Sequence, residues 1–177
     1  MVTKKGLFLS KQLFPSMSKE NPTLAEIQSK LEYYCAYQDR CHQEVEEKLR
    51  SFSLSNDEKE MLLVYLIQEN YLNEERFACS FARGKHRIKH WGHTRIINEL
   101  KRRHIGQRNI ATALKEITPE EYFATFATLS ERIWENLREN NILKKRQKFC
   151  DYLLRKGWES NLVYEKAKEF NSSTGSD

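Results

Sequence analysis

Residues 71–105 read YLNEERFACSFARGKHRIKHWGHTRIINELKRRHI. The stretch has no proline, and its apolar positions recur at three and four residues, the spacing that places side chains on one face of a helix. Asn73 is a helix-capping residue followed by two acids, and Phe77, Ala78, Phe81, Ala82 and Ile88 then fall on the inward side of one helix. Trp91 and Gly92 end it, and His93 or Thr94 starts another that carries Ile96, Ile97 and Leu100 inward. Between Arg83 and His104 lie eight Lys or Arg and four of the five histidines against a single acid, Glu99, although the net charge of all 177 residues is only +5. The positive charge is therefore concentrated, and a polyanionic partner follows from that concentration.

Outward from this stretch the pattern repeats. Three prolines and six glycines leave long intervals without a helix breaker, and no segment alternates as a strand would. Upstream, Thr23 opens a helix from Leu24 to about Gln38, a second runs from Cys41 to Phe52, and Ser55 or Asn56 caps a third through Glu69. Downstream of the central pair, Ile110, Ala113 and Leu114 line a helix. Thr118 with Pro119 in the first turn opens a long one to about Asn140, and Lys145 to Lys156 and Glu159 to Phe170 complete the set. The middle helices of the three groups align without gaps. Val45, Leu49 and Leu54 match Ile96, Leu100 and Ile105 at a shift of 51, and these match Phe149, Leu153 and Trp158 at a shift of 53. NEERFA at 73–78 and PEEYFA at 119–124 give groups two and three a shared start. The fold expected is all-α, with three tandem three-helix repeats stacked into an elongated, curved body. The repeats span 23–72, 73–117 and 118–170, preceded by an arm (1–22) and followed by a disordered polar tail (171–177).

No chemistry of a recognisable enzyme is present: no Gly-rich phosphate loop, no HExxH, no GxSxG and no acidic cluster for magnesium. His86 and His90 are four apart, yet flanking cations oppose a metal and nothing completes a ligand set. Cys35, Cys41, Cys79 and Cys150 are scattered and read as free thiols, buried or half-exposed. No apolar run reaches the roughly 18 residues that cross a bilayer. The binding face is the cationic one. Arg76, Arg83 and Arg87 form one stripe on the first central helix, with Lys85 and Lys89 on the same helix. Arg95 and Arg102 line the next, with Lys101 and Arg103 beside them, and the i+4 acids that usually intersperse such a face are missing. A second basic group, Lys144, Lys145, Arg146 and Lys148 with Arg155 and Lys156, extends the character into the third repeat. Tyr122, Phe123, Phe126 and Trp134 occupy core phases, leaving Trp91 as the aromatic placed to stack on a base.

Tyr71, Leu72, Asn73, Glu74, Arg76, Phe77 and Ala78, then a basic spacer, Gly92, Arg95, Ile96, Glu99, Leu100 and Ile105, resemble the central signature of the RecX regulatory proteins. Asn73 and Glu74 stand where that family usually has two aspartates. Arg103 and His104 replace its lysine-glycine, so the second central helix lacks the glycine favoured at its C-terminus. The resemblance implies tandem three-helix repeats and a non-enzymatic modulator that binds the RecA recombinase filament on single-stranded DNA. Such a protein mainly inhibits filament growth, ATP hydrolysis and strand exchange in recombination and repair. It implies a cytoplasmic monomer with no cofactor, no metal and no membrane contact, and only weak binding to bare single-stranded DNA. The residues alone leave two alternatives open, a stand-alone helical nucleic-acid-binding protein and a helical adaptor for another protein.

Overall fold

The computed structural model describes residues 22–172, and the expectations for the arm and the end of the tail lie outside them. Among the described residues there are nine helices and no strand. In chain order they are α1 (Leu24–Tyr37), α2 (His42–Leu49), α3 (Asn56–Gln68), α4 (Glu74–Lys89), α5 (His93–Arg102), α6 (Gln107–Leu114), α7 (Pro119–Asn136), α8 (Ile142–Lys156) and α9 (Ser160–Ser172). None of them is long and apolar enough to cross a membrane.

Local chemistry sets the boundaries. Thr23 and Ser55 each share a reciprocal pair of hydrogen bonds with the glutamate three residues on, Glu26 and Glu58, which satisfies backbone donors that the first turn leaves over. Asn73, Thr118 and Asn141 accept from the backbone N–H of Arg76, Glu121 and Lys144. The cap at Asn141 starts α8 three residues before the expected Lys145, and α7 correspondingly stops at Asn136. At the other ends, Asn70, His90, His104 and Gly157 adopt the left-handed conformation, with φ of 56°, 52°, 59° and 85°. His104 thus takes the backbone shape that the missing glycine would have supplied. Ile105 N–H reaches Leu100 O at 3.1 Å, and Trp158 N–H reaches Leu153 O at 3.2 Å, so α5 and α8 close with the same six-residue loop.

The aligned apolar positions are core positions. Val45, Leu49, Ile96, Leu100, Ile105, Phe149, Leu153 and Trp158 are all buried, and only Leu54 of the nine is half-covered. The buried side chains form two clusters. The first repeat has its own, built on Ile27, Leu31, Cys35, Val45, Leu49, Leu62, Leu66 and Leu72. The second and third repeats share another, from Phe77 to Ala167, and Cys41 is the buried residue that the first repeat contributes to it. Within the second repeat α4 packs most extensively along α6, where Ala78, Ala82 and Ala113, all fully buried, leave room for two backbones to approach. The cysteines are free thiols, three buried and Cys79 half-exposed. Burial pushes all four up from the ordinary thiol value.

Two of the expected core positions face water. Ile88 is 73% exposed and Phe123 53%. Ile88 continues the stripe begun by Phe77 and Phe81, but α4 runs on past the part of the stripe that the first repeat covers. Phe123 stands beside Tyr122, whose ring takes the inward place on α7.

Candidate functional site

The expected cationic stripe divides in two when its partners are followed. Arg76 donates to Asp39 Oδ1 at 2.8 Å, to Asn70 Oδ1 and O, and to Tyr71 O. Ser80 donates to the other Asp39 oxygen at 2.6 Å, so one carboxylate fastens the first repeat to α4. Burial alone would raise Asp39, but Ser80 and Arg76 hold it below the usual carboxylate value. Arg83 pairs with Glu116 at the end of the second repeat. Arg87 makes a fork to Glu121 on α7 at 2.7 and 3.1 Å, which joins the second repeat to the third. Arg102 and Arg103 both engage Glu99, at 3.4 and 2.9 Å. The acids that meet Arg76, Arg83 and Arg87 come from other elements, so these three act first as ties between parts of the chain, whereas Arg103 finds Glu99 four residues before it at the end of α5.

Lys85, Lys89, Arg95 and Lys101 have no carboxylate within 4 Å among the described residues. Three of them converge on the joint between the second and third repeats. The Arg95 guanidinium lies 4.2 Å from the centre of the Trp91 ring, and Lys85 Nζ lies 5.4 Å from it and 5.2 Å from Phe81, distances at which a cation is attracted to the ring face. Arg95 also donates to Arg155 O at 2.8 Å, and Lys156 Nζ donates to Lys89 O at 3.0 Å. Arg155 and Lys156, read from the sequence as part of a separate basic group, are therefore brought beside Lys85, Lys89 and Arg95. Lys101 is exposed and stands apart from these contacts.

Trp91 is not the free stacking platform expected of it. It is half-buried, its edge meets Phe81 at 6.2 Å, and Arg95 and Lys85 lie against its ring. Its ring is flanked by two cations. The aromatic pair presented to solvent is elsewhere, Tyr33 and Tyr37 on α1, stacked at 6.3 Å and 72% and 74% exposed. Their four-residue spacing was visible in the sequence, but the same spacing serves a core.

The joint itself is a backbone weld. Gly92 N–H donates to Lys156 O at 3.0 Å and Thr94 N–H to Gly157 O at 3.2 Å. A Cβ on Gly92 would lie 2.3 Å from Gly157 O, and one on Gly157 would lie 2.3 Å from Arg95 Cβ. Two glycines are needed for this approach. Beneath it, the buried His86 bonds through Nδ1 to Trp91 O at 2.9 Å, and since a carbonyl only accepts, Nδ1 carries the proton. His93 stacks on Tyr122 at 3.9 Å, and Tyr122 donates to Glu159 at 2.6 Å while accepting from His93 N–H. Burial and the bond to Glu159 push the Tyr122 phenol up. Burial lowers His93 against the pull of Glu159, and burial with the charges of Arg132 and Lys156 lowers His90. Among the described residues no three His, Cys, Asp or Glu side chains gather as a metal site would need.

Residues 73–114, which hold the Gly92 side of the weld and the cations of α4 and α5, match the family model for the second three-helix domain of RecX. Over that segment the chain is similar to the RecX family. It is 27% identical over 130 residues to the regulatory protein RecX of Bacillus cytotoxicus, covering 73% of this chain and 48% of that one. It is 26% identical over 145 residues to the regulatory protein RecX of Limosilactobacillus reuteri, covering 82% and 54%. The chain thus spans about half the length of the curated relatives it matches. A crystal structure of a regulatory protein RecX superposes with a TM-score of 0.69 at 26% identity, over 82% of this chain and 74% of that one. RecX from Lactobacillus salivarius superposes with a TM-score of 0.70 at 24% identity, over 84% and 96%, and supports the fold. Gly92, whose glycine carries the RecX resemblance, is the residue on which the joint between repeats depends.

Proposed function

We propose that this chain is a RecX-type, non-enzymatic cytoplasmic regulator that binds, as a monomer, the RecA recombinase filament on single-stranded DNA and mainly inhibits its growth, ATP hydrolysis and strand exchange. The observation that carries the reading is the cluster at the joint of the second and third repeats, where Lys85, Lys89, Arg95, Arg155 and Lys156 converge with no carboxylate within 4 Å among the described residues. Phosphates are the natural counterpart of such a cluster: lysine supplies a point charge and arginine a planar fork. The paired arginines position the helices, and the unpaired cations make the contact.

The test is the DNA-dependent ATPase of the recombinase with Lys85, Lys89, Arg155 and Lys156 together replaced by Ala. None of the four side chains is in an ion pair with a carboxylate, so melting should stay near wild type while inhibition is lost. A folded variant that inhibits like wild type removes this surface from the mechanism. The same cluster would serve a stand-alone nucleic-acid-binding protein. About four neutralised phosphates would give log affinity for bare single strands a slope of roughly −3 against log salt. Affinity for bare single-stranded DNA equal to or above that for recombinase-coated DNA would favour this second reading.

A further inference from the structure

On α4, Phe77, Phe81, Gly84 and Ile88 fall within one narrow stripe at helical phase. The first repeat covers the start of this stripe and leaves the rest open. Phe77 is 4% exposed, Phe81 half-buried and Ile88 73% exposed. The open part floors a groove of about 360 Å³ between the first and second repeats, with Gln38, Asp39 and Glu44 on one wall and Lys85, Lys89 and Arg103 on the other. Gly84 is in the middle of a 16-residue helix, where glycine costs about 1 kcal/mol relative to alanine, and a Cβ there would meet nothing within 4 Å. No neighbour within the described chain requires that glycine. It leaves bare helix backbone at the floor of an open groove, the surface that a close-lying partner segment uses.

The charges around the groove are not balanced. Asp39 is held by Arg76 and Ser80, and Glu44 accepts from the Cys41 backbone N–H at 3.2 Å. Arg103 is held by Glu99. Lys85 and Lys89 are the rim charges without a carboxylate. We infer that this groove docks an acidic segment of a partner protein that carries an apolar side chain, the apolar group lying over Gly84 between Phe81 and Ile88 and the acids meeting Lys85 and Lys89. Lys85 also lies against Trp91, so the groove opens beside the proposed phosphate site, and a filament that offers DNA and protein together would meet both. The inference rests on the reading that the partner is the recombinase filament.

Two kinds of variant test it in the full chain. Gly84→Leu fills the groove from a position with free space, and Ile88→Asp and Ile88→Lys place opposite charges at its mouth on a side chain that is mostly in water. Each is measured for melting temperature, for bare single-stranded DNA binding, for recombinase ATPase inhibition, and on an array of overlapping peptides tiled across the recombinase. Wild type should bind tiles that combine acids with an apolar residue. Gly84→Leu and Ile88→Asp should weaken tile binding and inhibition about ten-fold. Ile88→Lys should retain both, Gly84→Leu should melt at or slightly above wild type and bind bare DNA like it, and both Ile88 variants should melt near wild type. If wild type inhibits but Gly84→Leu matches it within two-fold, or the two Ile88 variants are equal, the groove is not the docking site and the regulator reading stands. If Gly84→Leu loses bare DNA binding, the groove takes nucleic acid and the inference fails. A wild-type chain that does not inhibit the recombinase overturns the regulator reading and this inference with it.

Discussion

Replacing Gly92 with alanine should loosen the joint between the second and third repeats by an amount that the geometry fixes. The added Cβ would lie 2.3 Å from Gly157 O, 2.5 Å from Gly157 C and 2.6 Å from Trp158 N, all backbone atoms that cannot swing aside. Restoring an ordinary carbon–oxygen contact requires a separation of about 1 Å, which carries the 3.0 Å Gly92 to Lys156 bond and the 3.2 Å Thr94 to Gly157 bond beyond hydrogen-bonding range. Two backbone bonds at about 1 kcal/mol each, with part of the penalty for groups left without partners, give about 2–3 kcal/mol. The lower entropy of the unfolded alanine chain offsets about 0.4–1 kcal/mol of this. A net loss of about 2 kcal/mol in a chain of this size lowers the melting temperature by roughly 4–8 °C, measured by calorimetry or by circular dichroism at 222 nm. Gly84→Ala is the internal control: with free space around it and better helix propensity, it should stabilise by about 0.5–1 kcal/mol. A Gly92→Ala variant that melts within 1 °C of wild type would falsify the argument that backbone contact at this joint requires glycine.

Two pH dependences follow from the same contacts. His93 has a folded-state value below its unfolded one of about 6.5, so the unfolded chain binds more protons between the two values and stability falls as pH drops through that window. His93→Phe, which keeps the stack on Tyr122 without a titrating ring, should flatten the decline in melting temperature between about pH 7.5 and 5.5. His90, also lowered, leaves a residual slope of the same sign. Asp39 is depressed when folded, so its contribution is present above its unfolded value of about 3.9 and is lost as pH falls through the folded one. Asp39→Asn should therefore melt below wild type at pH 7 and approach it near about pH 2–3 in a urea or thermal titration.

The helices were legible because their signals are local. Thr23, Ser55, Asn73 and Thr118 each cap the helix they open, and the aligned apolar triplets proved to be core with one half-covered exception. The fate of the cations was not legible. Arg76 and Asp39 are 37 residues apart and Arg87 and Glu121 are 34 apart, so a scan for acids four residues away could not find these pairs. Ile88 has the phase of a core residue, and only the extent of the neighbouring repeat decides that it is not covered. Trp91 next to Gly92 looked like an exposed loop aromatic, yet the weld folds that connection onto the third repeat. Gly84 was the one available signal for the groove, a helix-interior glycine with no turn to make. The glycine gap at residue 104 was visible, but histidine filling it in the left-handed region was not.

The weld between α5 and α8 also has an electrostatic meaning. Each helix carries a macrodipole, positive at its N-terminus and negative at its C-terminus, and here the positive end of α5 is capped by the negative end of α8 through the carbonyls of Lys156 and Gly157. The partial charges cancel across the joint. A helix N-terminus is elsewhere a ready anion site, but this one is closed to an outside phosphate. Positive potential at the joint therefore comes from side chains alone, whose long flexible stems hold charge without fixing one geometry.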